Sequence, residues 1–135
     1  MKRKNNTFTF SLLSLILLLH MTTIFETIDG INRRFAQLFN WARVDELVEL
    51  YTPQATLFPS DKGKYKGREE IKEYWDAARE AGVDNLQLTT GTIIEAGEDL
   101  LIETSAYQHL LDHGHYQVIW KRTYQGWQID TDIFN

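Results

Sequence analysis

The chain has 135 residues, 43% of them hydrophobic and 24% charged, which suits one compact domain with its own core and excludes two. It has no cysteine, so disulfides, thiolate metal sites and cysteine nucleophiles are excluded as well. Of fourteen lysines and arginines, Lys2, Arg3 and Lys4 precede every other charge, and the eleven left against nineteen acids give the remainder a net charge of −8, the wrong sign for a nucleic-acid surface.

In chain order, MKRKNN followed by FTFSLLSLILLL has the basic n-region and short apolar h-region of an export signal. The run is shorter than the roughly 20 residues of a membrane span, and no small-x-small cleavage site follows it around His20 to Ile24. A competing reading starts translation at Met21, with Thr23 and Glu26 as a capping box that opens the first helix. Residues 1–21 are thus a signal-like leader or anchor, or a start-site artefact, and residues 22–135 are the domain. The first reading exports or anchors the protein, with membrane contact only through the leader; the second leaves it cytoplasmic.

From Thr23 the apolar residues Ile24, Ile28, Ile31, Phe35, Leu38 and Phe39 recur at helical spacing and predict a long amphipathic helix. Val44 to Tyr51 is a second, shorter helix stopped before Pro53. Ala55 to Phe58 is a short strand ended by Pro59, and Asp61 to Gly67 a lysine-rich turn or small hairpin. Arg68 to Ala81 is the third helix, with Gly82 just past its end in left-handed geometry. Beyond Gly82 the apolar period changes to two. Strands are expected near Leu86 to Glu95, Leu100 to Leu111, His115 to Tyr124 and Trp127 to Phe134. Helices first and strands second is the order of an α+β domain, three N-terminal helices packed on a curved antiparallel sheet.

The last two strands carry the features that need a functional explanation. Alternation puts Tyr116, Val118 and Trp120 on one face of the first, and Gln128, Asp130, Asp132 and Phe134 on one face of the second. The apolar residues Trp127, Ile129 and Ile133 explain the other face of that last strand, and the two aspartates need a different explanation.

The stretch LVELYTPQATLFPSDKGKYKGREEIKEYW, Leu47 to Trp75, resembles the core of the nuclear transport factor 2-like superfamily, in particular its SnoaL-like and ketosteroid isomerase-like members. The ending Y-x-V-I-W-K-R, G-W-Q-I, D-I-F-N resembles the group called ketosteroid isomerase homologues. The resemblance covers about Thr23 to Asn135. It implies a cystatin-like cone with a pocket between helices and sheet, and a homodimer through the outer sheet face. It also implies that the isomerase base falls at Pro59, its oxyanion tyrosine at Phe35 and its second donor near Val118. None of these side chains can move a proton or donate a hydrogen bond, so isomerisation by that mechanism is not expected.

On the same resemblance, Asp130 and Asp132 face the pocket, with Tyr116, Trp120, Tyr107 and His109 on the same wall and Trp75 opposite; Phe35, Phe58, Val118 and Phe134 complete the expected lining. Two carboxylates in a partly apolar pocket raise each other's pKa, which is how an acid/base pair arises, with His109 as a relay. The plainer alternative has both aspartates at a solvated rim, paired with Arg122 or with lysines. His109, His113 and His115 invite a metal reading, but turn histidines in a solvated loop are commoner, and no metal or cofactor is expected. Lys62, Lys64, Lys66 and Arg68 read as a solvated loop. Three functions remain open: a small-molecule binder with an aromatic, partly acidic pocket for an apolar or aromatic ligand; a SnoaL-like isomerase, cyclase or dehydratase using Asp130, Asp132 and His109; and a homo-oligomeric interaction domain.

Overall fold

A computed structural model describes residues 11–135; the basic cluster Lys2-Arg3-Lys4 lies outside the described residues. Helix α1 is Leu12–Asn40, and it does not begin at Thr23. The Ser11 hydroxyl caps it by accepting from the Ser14 amide, and the Thr23 hydroxyl donates back to the Leu19 carbonyl at 2.9 Å. The expected capping box is therefore not formed. Leucine-rich sequence upstream is itself helix-forming, and a helix already nucleated adds residues at little cost. Ile24, Ile28, Asn32, Phe35, Leu38 and Phe39 form the buried stripe of α1.

A one-turn helix α2 (Val44–Leu47) and a 3-10 turn (Val48–Leu50) lead into strand β1, Tyr51–Phe58. β1 starts four residues earlier than the sequence suggests. It tolerates Pro53 because its pairing is interrupted between Tyr51 and Thr56, where a missing N–H costs no ladder bond. β2 (Tyr65–Lys66) folds back on β1 as the small hairpin. Helix α3, Gly67–Glu80, ends as expected: Gly82 takes φ +97°, and the Gly82 and Val83 amides return to the Arg79 and Ala78 carbonyls, which closes the last turn.

β3 (Gln87–Glu95), β4 (Leu100–Gln108), β5 (His113–Thr123) and β6 (Gly126–Phe134) complete one sheet in the order β2-β1-β6-β5-β4-β3. All pairs are antiparallel except β1 with β6, which is parallel. The fold is the α+β arrangement of three helices on a curved sheet, with β1 inserted beside the last strand. Helices α1 and α3 cover the inner face. The core lies between them and Leu57, Leu101, Val118, Trp120 and Ile129.

β6 breaks the alternation expected of it. Ile119 pairs with Thr131, whereas its neighbour Trp120 pairs with Ile129. Asp130 is thus the extra residue of a bulge, and the phase inverts across it. Ile129 points inward with Trp120, Asp132 opposes Val118 and Phe134 opposes Tyr116.

Candidate functional site

The inner-face row running across the sheet is Ile93, Glu103, Val118, Asp132 and Leu57, one residue from each of five neighbouring strands. It places two carboxylates on the buried face, about 10 Å apart by strand spacing. The sequence singled out only one of them.

Asp132 is 6% exposed. Its Oδ2 accepts from the Tyr51 hydroxyl at 2.7 Å, and that hydroxyl accepts from the Trp75 indole N–H at 3.2 Å. Oδ1 takes no hydrogen bond from the described residues, and Asp132 lines a cavity of about 80 Å³. Burial pushes its carboxyl up to about 7, the Tyr51 hydrogen bond works against that rise, and the Glu103 carboxyl adds to it. Burial also raises the Tyr51 hydroxyl, with Asp132 adding to the effect, so the phenol stays a hydrogen-bond donor.

The rest of the lining is aromatic and aliphatic. Trp75 is held edge-on by Phe35 at 5.5 Å and Phe39 at 5.6 Å, and stacks on Phe134 at 5.7 Å. Tyr107 meets Phe134 at 5.8 Å and His109 stacks on Tyr107 at 5.8 Å. Val83, Leu86 and Leu88 complete the lining. Such rings contribute most of the buried area in a small domain and make the cavity largely apolar. Gly114 holds the wall together: a Cβ there would lie 2.8 Å from the Tyr107 hydroxyl, which donates to the Asn135 carbonyl.

Glu103 is the residue missed. It is fully buried and accepts four hydrogen bonds: from Asn32 at 2.6 Å, Ser105 at 2.6 Å, Tyr116 at 3.2 Å and Trp120 at 2.9 Å. All four donors are neutral; three meet Oε2 and the Trp120 indole meets Oε1. The signal was present in the alternation Leu101, Glu103, Ser105, Tyr107, which puts a glutamate in the phase of the buried residues. Burial and the Glu103 carboxyl in turn raise the Tyr116 hydroxyl.

Of the residues expected in the pocket, Phe35, Trp75, Tyr107, His109, Tyr116, Val118, Asp132 and Phe134 line it. Three do not. Asp130, displaced by the bulge, accepts from the Thr52 hydroxyl at 2.9 Å outside the cavity. Trp120 is fully buried beneath it, its indole committed to Glu103. Phe58 pairs with Ile133 on the outer face, because alternation in β1 turns Leu57 inward in its place. Neither aspartate pairs with Arg122, which instead meets Asp99 at 3.2 Å. His109 accepts from the Leu111 amide at 3.2 Å, and no group of three His, Asp or Glu poised for a metal occurs among the described residues.

Of the three positions that the resemblance singled out, Phe35 lines the cavity, Pro59 follows the end of β1, and Val118 lies between the two buried carboxylates.

Comparison with known proteins gives a consistent family. The model for a SnoaL-like domain matches residues 32–131. No curated protein matches the sequence. Among solved structures, a domain of unknown function with a cystatin-like fold from Nostoc punctiforme superposes with a TM-score of 0.72 at 15% identity, covering 82% of this chain and 75% of that one. A nuclear transport factor 2-like protein with a cystatin-like fold from Novosphingobium aromaticivorans gives 0.70 at 16% identity, covering 92% and 88%. A ketosteroid isomerase-like protein from Erwinia carotovora atroseptica gives 0.65 at 17% identity, covering 79% and 91%. These likenesses establish the fold, and a family match over residues 32–131 establishes the rest: the chain belongs to the SnoaL-like domain family.

Proposed function

We propose that the domain binds a small, flat, largely apolar molecule carrying one polar group, and that Asp132 meets that group. The observation that carries this reading is the free Oδ1 of a buried carboxyl set in an otherwise aromatic cavity. Oδ1 keeps its hydrogen-bonding capacity open toward the cavity that Asp132 lines, and a ligand's polar group can meet it there. Below pH 7 the protonated carboxyl offers a donor to a carbonyl or ether oxygen; above it, the carboxylate accepts from a hydroxyl or amine.

Thermal-shift screening of planar one- and two-ring compounds tests this. A hit is expected to lose its shift in Leu88→Trp, which fills the cavity from the β3 side with little disturbance of the core, and to keep it in Phe58→Ala on the outer face. Equal shifts in all three proteins place the ligand elsewhere.

A second reading, catalysis, rests on the carboxyl at about 7. A group that titrates at neutral pH can both take and return a proton, as an isomerase, cyclase or dehydratase requires. Of the acid/base candidates, Asp132 remains, with His109 across the cavity; Asp130 lies outside it.

The outer sheet face supports a homodimer. Ile94, Ile102, Ile119 and Thr131 form one row across β3, β4, β5 and β6, with Ile94 62% and Ile102 37% exposed. Ile119→Asp is expected to convert a dimer to a monomer in size-exclusion chromatography with light scattering; a wild-type mass of one chain at every concentration refutes the dimer. The apolar start of α1 fits an export signal or anchor, and it also fits a protein in solution.

A further inference from the structure

The first third of α1 belongs to no part of the core. Ile24 is the first residue of α1 to be buried in it. Before it, every leucine and isoleucine from Leu12 to Leu19 is 47–73% exposed. Consecutive positions on a helix point in all directions, so a neighbouring helix or groove can cover one stripe of them and leaves the rest in water. Only an apolar medium buries all sides at once. From Leu12 to Phe25 the helix carries no Asp, Glu, Lys or Arg, a length of about 21 Å. In the sequence Lys2, Arg3 and Lys4 precede this stretch, the basic flank that membrane-inserted segments carry on one side. Neither glycine nor proline interrupts Leu12 to Asp29, so the helix passes into the domain without a hinge.

The other end of the same helix lies beside the cavity. α1 runs antiparallel to β3. His20 meets Glu95 at 2.6 Å, Asn32 donates to Thr90 at 3.0 Å, and Asn40 bonds the backbone of Leu86 at 2.8 and 3.0 Å. Leu86 and Leu88, with the partly exposed Val83 and His109, are the lining residues at that far end. The twenty residues from His20 to Asn40 separate the two ends by about 30 Å. The deep side of the cavity is closed by Phe35, Val118 and Asp132.

We infer that α1 is a retained membrane anchor, continuous with the domain, that holds the cavity mouth away from the bilayer, so that the ligand is taken from the aqueous phase and not extracted from the lipid. The inference rests on reading the N-terminal segment as an anchor and on the cavity as the ligand site.

The absence of native cysteine makes the test clean. Single cysteines at Leu15, Glu98 and Leu110, each labelled with an environment-sensitive dye, are introduced into the full chain and reconstituted into phosphatidylethanolamine–phosphatidylglycerol vesicles containing spin-labelled lipid. Flotation with the vesicles is expected. So is strong quenching at Leu15→Cys, weaker quenching at Glu98→Cys on the β3–β4 turn, and none at Leu110→Cys beside the mouth. Flotation with quenching at Leu110→Cys equal to that at Glu98→Cys leaves the anchor standing and overturns the orientation. A chain that stays in solution as an oligomer, with the dye at Leu15→Cys shielded by a second copy, overturns the anchor itself.

Discussion

Glu103→Ala is expected to destabilise the domain by about 3–5 kcal/mol, the range for stripping one partner from a buried charged network. Four donors then lose their acceptor at once: the Asn32 amide, the Ser105 and Tyr116 hydroxyls and the Trp120 indole. Each buried orphan alone costs about 1–3 kcal/mol, and water entering the vacated space moderates the sum. Against a total of about 5–15 kcal/mol for a typical domain, this is close to loss of the fold, read as a fall in the thermal midpoint of at least ten degrees or so. Glu103→Gln keeps the shape but turns an NH2 group toward other donors, so an intermediate loss is expected. If Glu103→Ala unfolds within a few degrees of wild type, the network is not what ties Asn32 of α1 to β4 and β5. Glu103→Gln has a second readout: with the Glu103 charge removed, the Asp132 carboxyl becomes more acidic, because that charge contributes to its rise.

Asp132→Asn is expected to remove most of the domain's loss of stability between pH 4 and pH 7. The carboxyl ionises near 3.8 in an unfolded chain and near 7 in the fold. Between those values the folded domain holds a proton that the unfolded chain has released. Stability therefore falls as pH rises through this window, and the contribution levels off above pH 7. At about 1.4 kcal/mol per tenfold change in acidity, the effect has an upper bound of about 4 kcal/mol. Urea denaturation of wild type and Asp132→Asn at pH 4.5 and pH 8 measures it directly. At pH 8 the variant should be the more stable of the two, since it no longer buries an ionising group; equal pH slopes would mean that Asp132 is not the group held in the fold. The same variant bears on function. It should lose turnover if Asp132 moves a proton, whereas a binder keeps its affinity for a ligand that needs only a donor, because an amide can supply one.

The end of α1 and both ends of α3 were legible to within a residue or two because their signals are local, whereas α1 starts at Leu12, eleven residues before the expected Thr23. The apolar stripe from Ile24 to Phe39 and the glycine after α3 each act within one or two turns, and the tertiary structure reinforces them. Thr23 shows the limit: a capping box is a signal only where the chain before it is not already helical. The cavity wall was legible too, since Tyr107 on β4, Tyr116 on β5 and Phe134 on β6 each fall in the phase of the buried face.

The acidic site was only half legible. Alternation counted from either end of β6 pairs Asp130 with Asp132, and no local feature of WQIDTDIF announces the bulge. The bulge arises because Trp120 must oppose Ile129 while Val118 opposes Asp132, a demand made by β5 and by the core beneath it. In the same way Phe58 or Leu57 could have turned inward, and the parallel pairing of β1 with β6 decided it. Local sequence thus sufficed for which segments become helix or strand and for the aromatic character of the cavity, because periodicity and turn chemistry act over a few residues. Which carboxylates are buried, Glu103 and Asp132 and not Asp130, was settled by cross-strand register, where one extra residue reverses the face of all that precede it and residues 29 apart in the chain come to share a row.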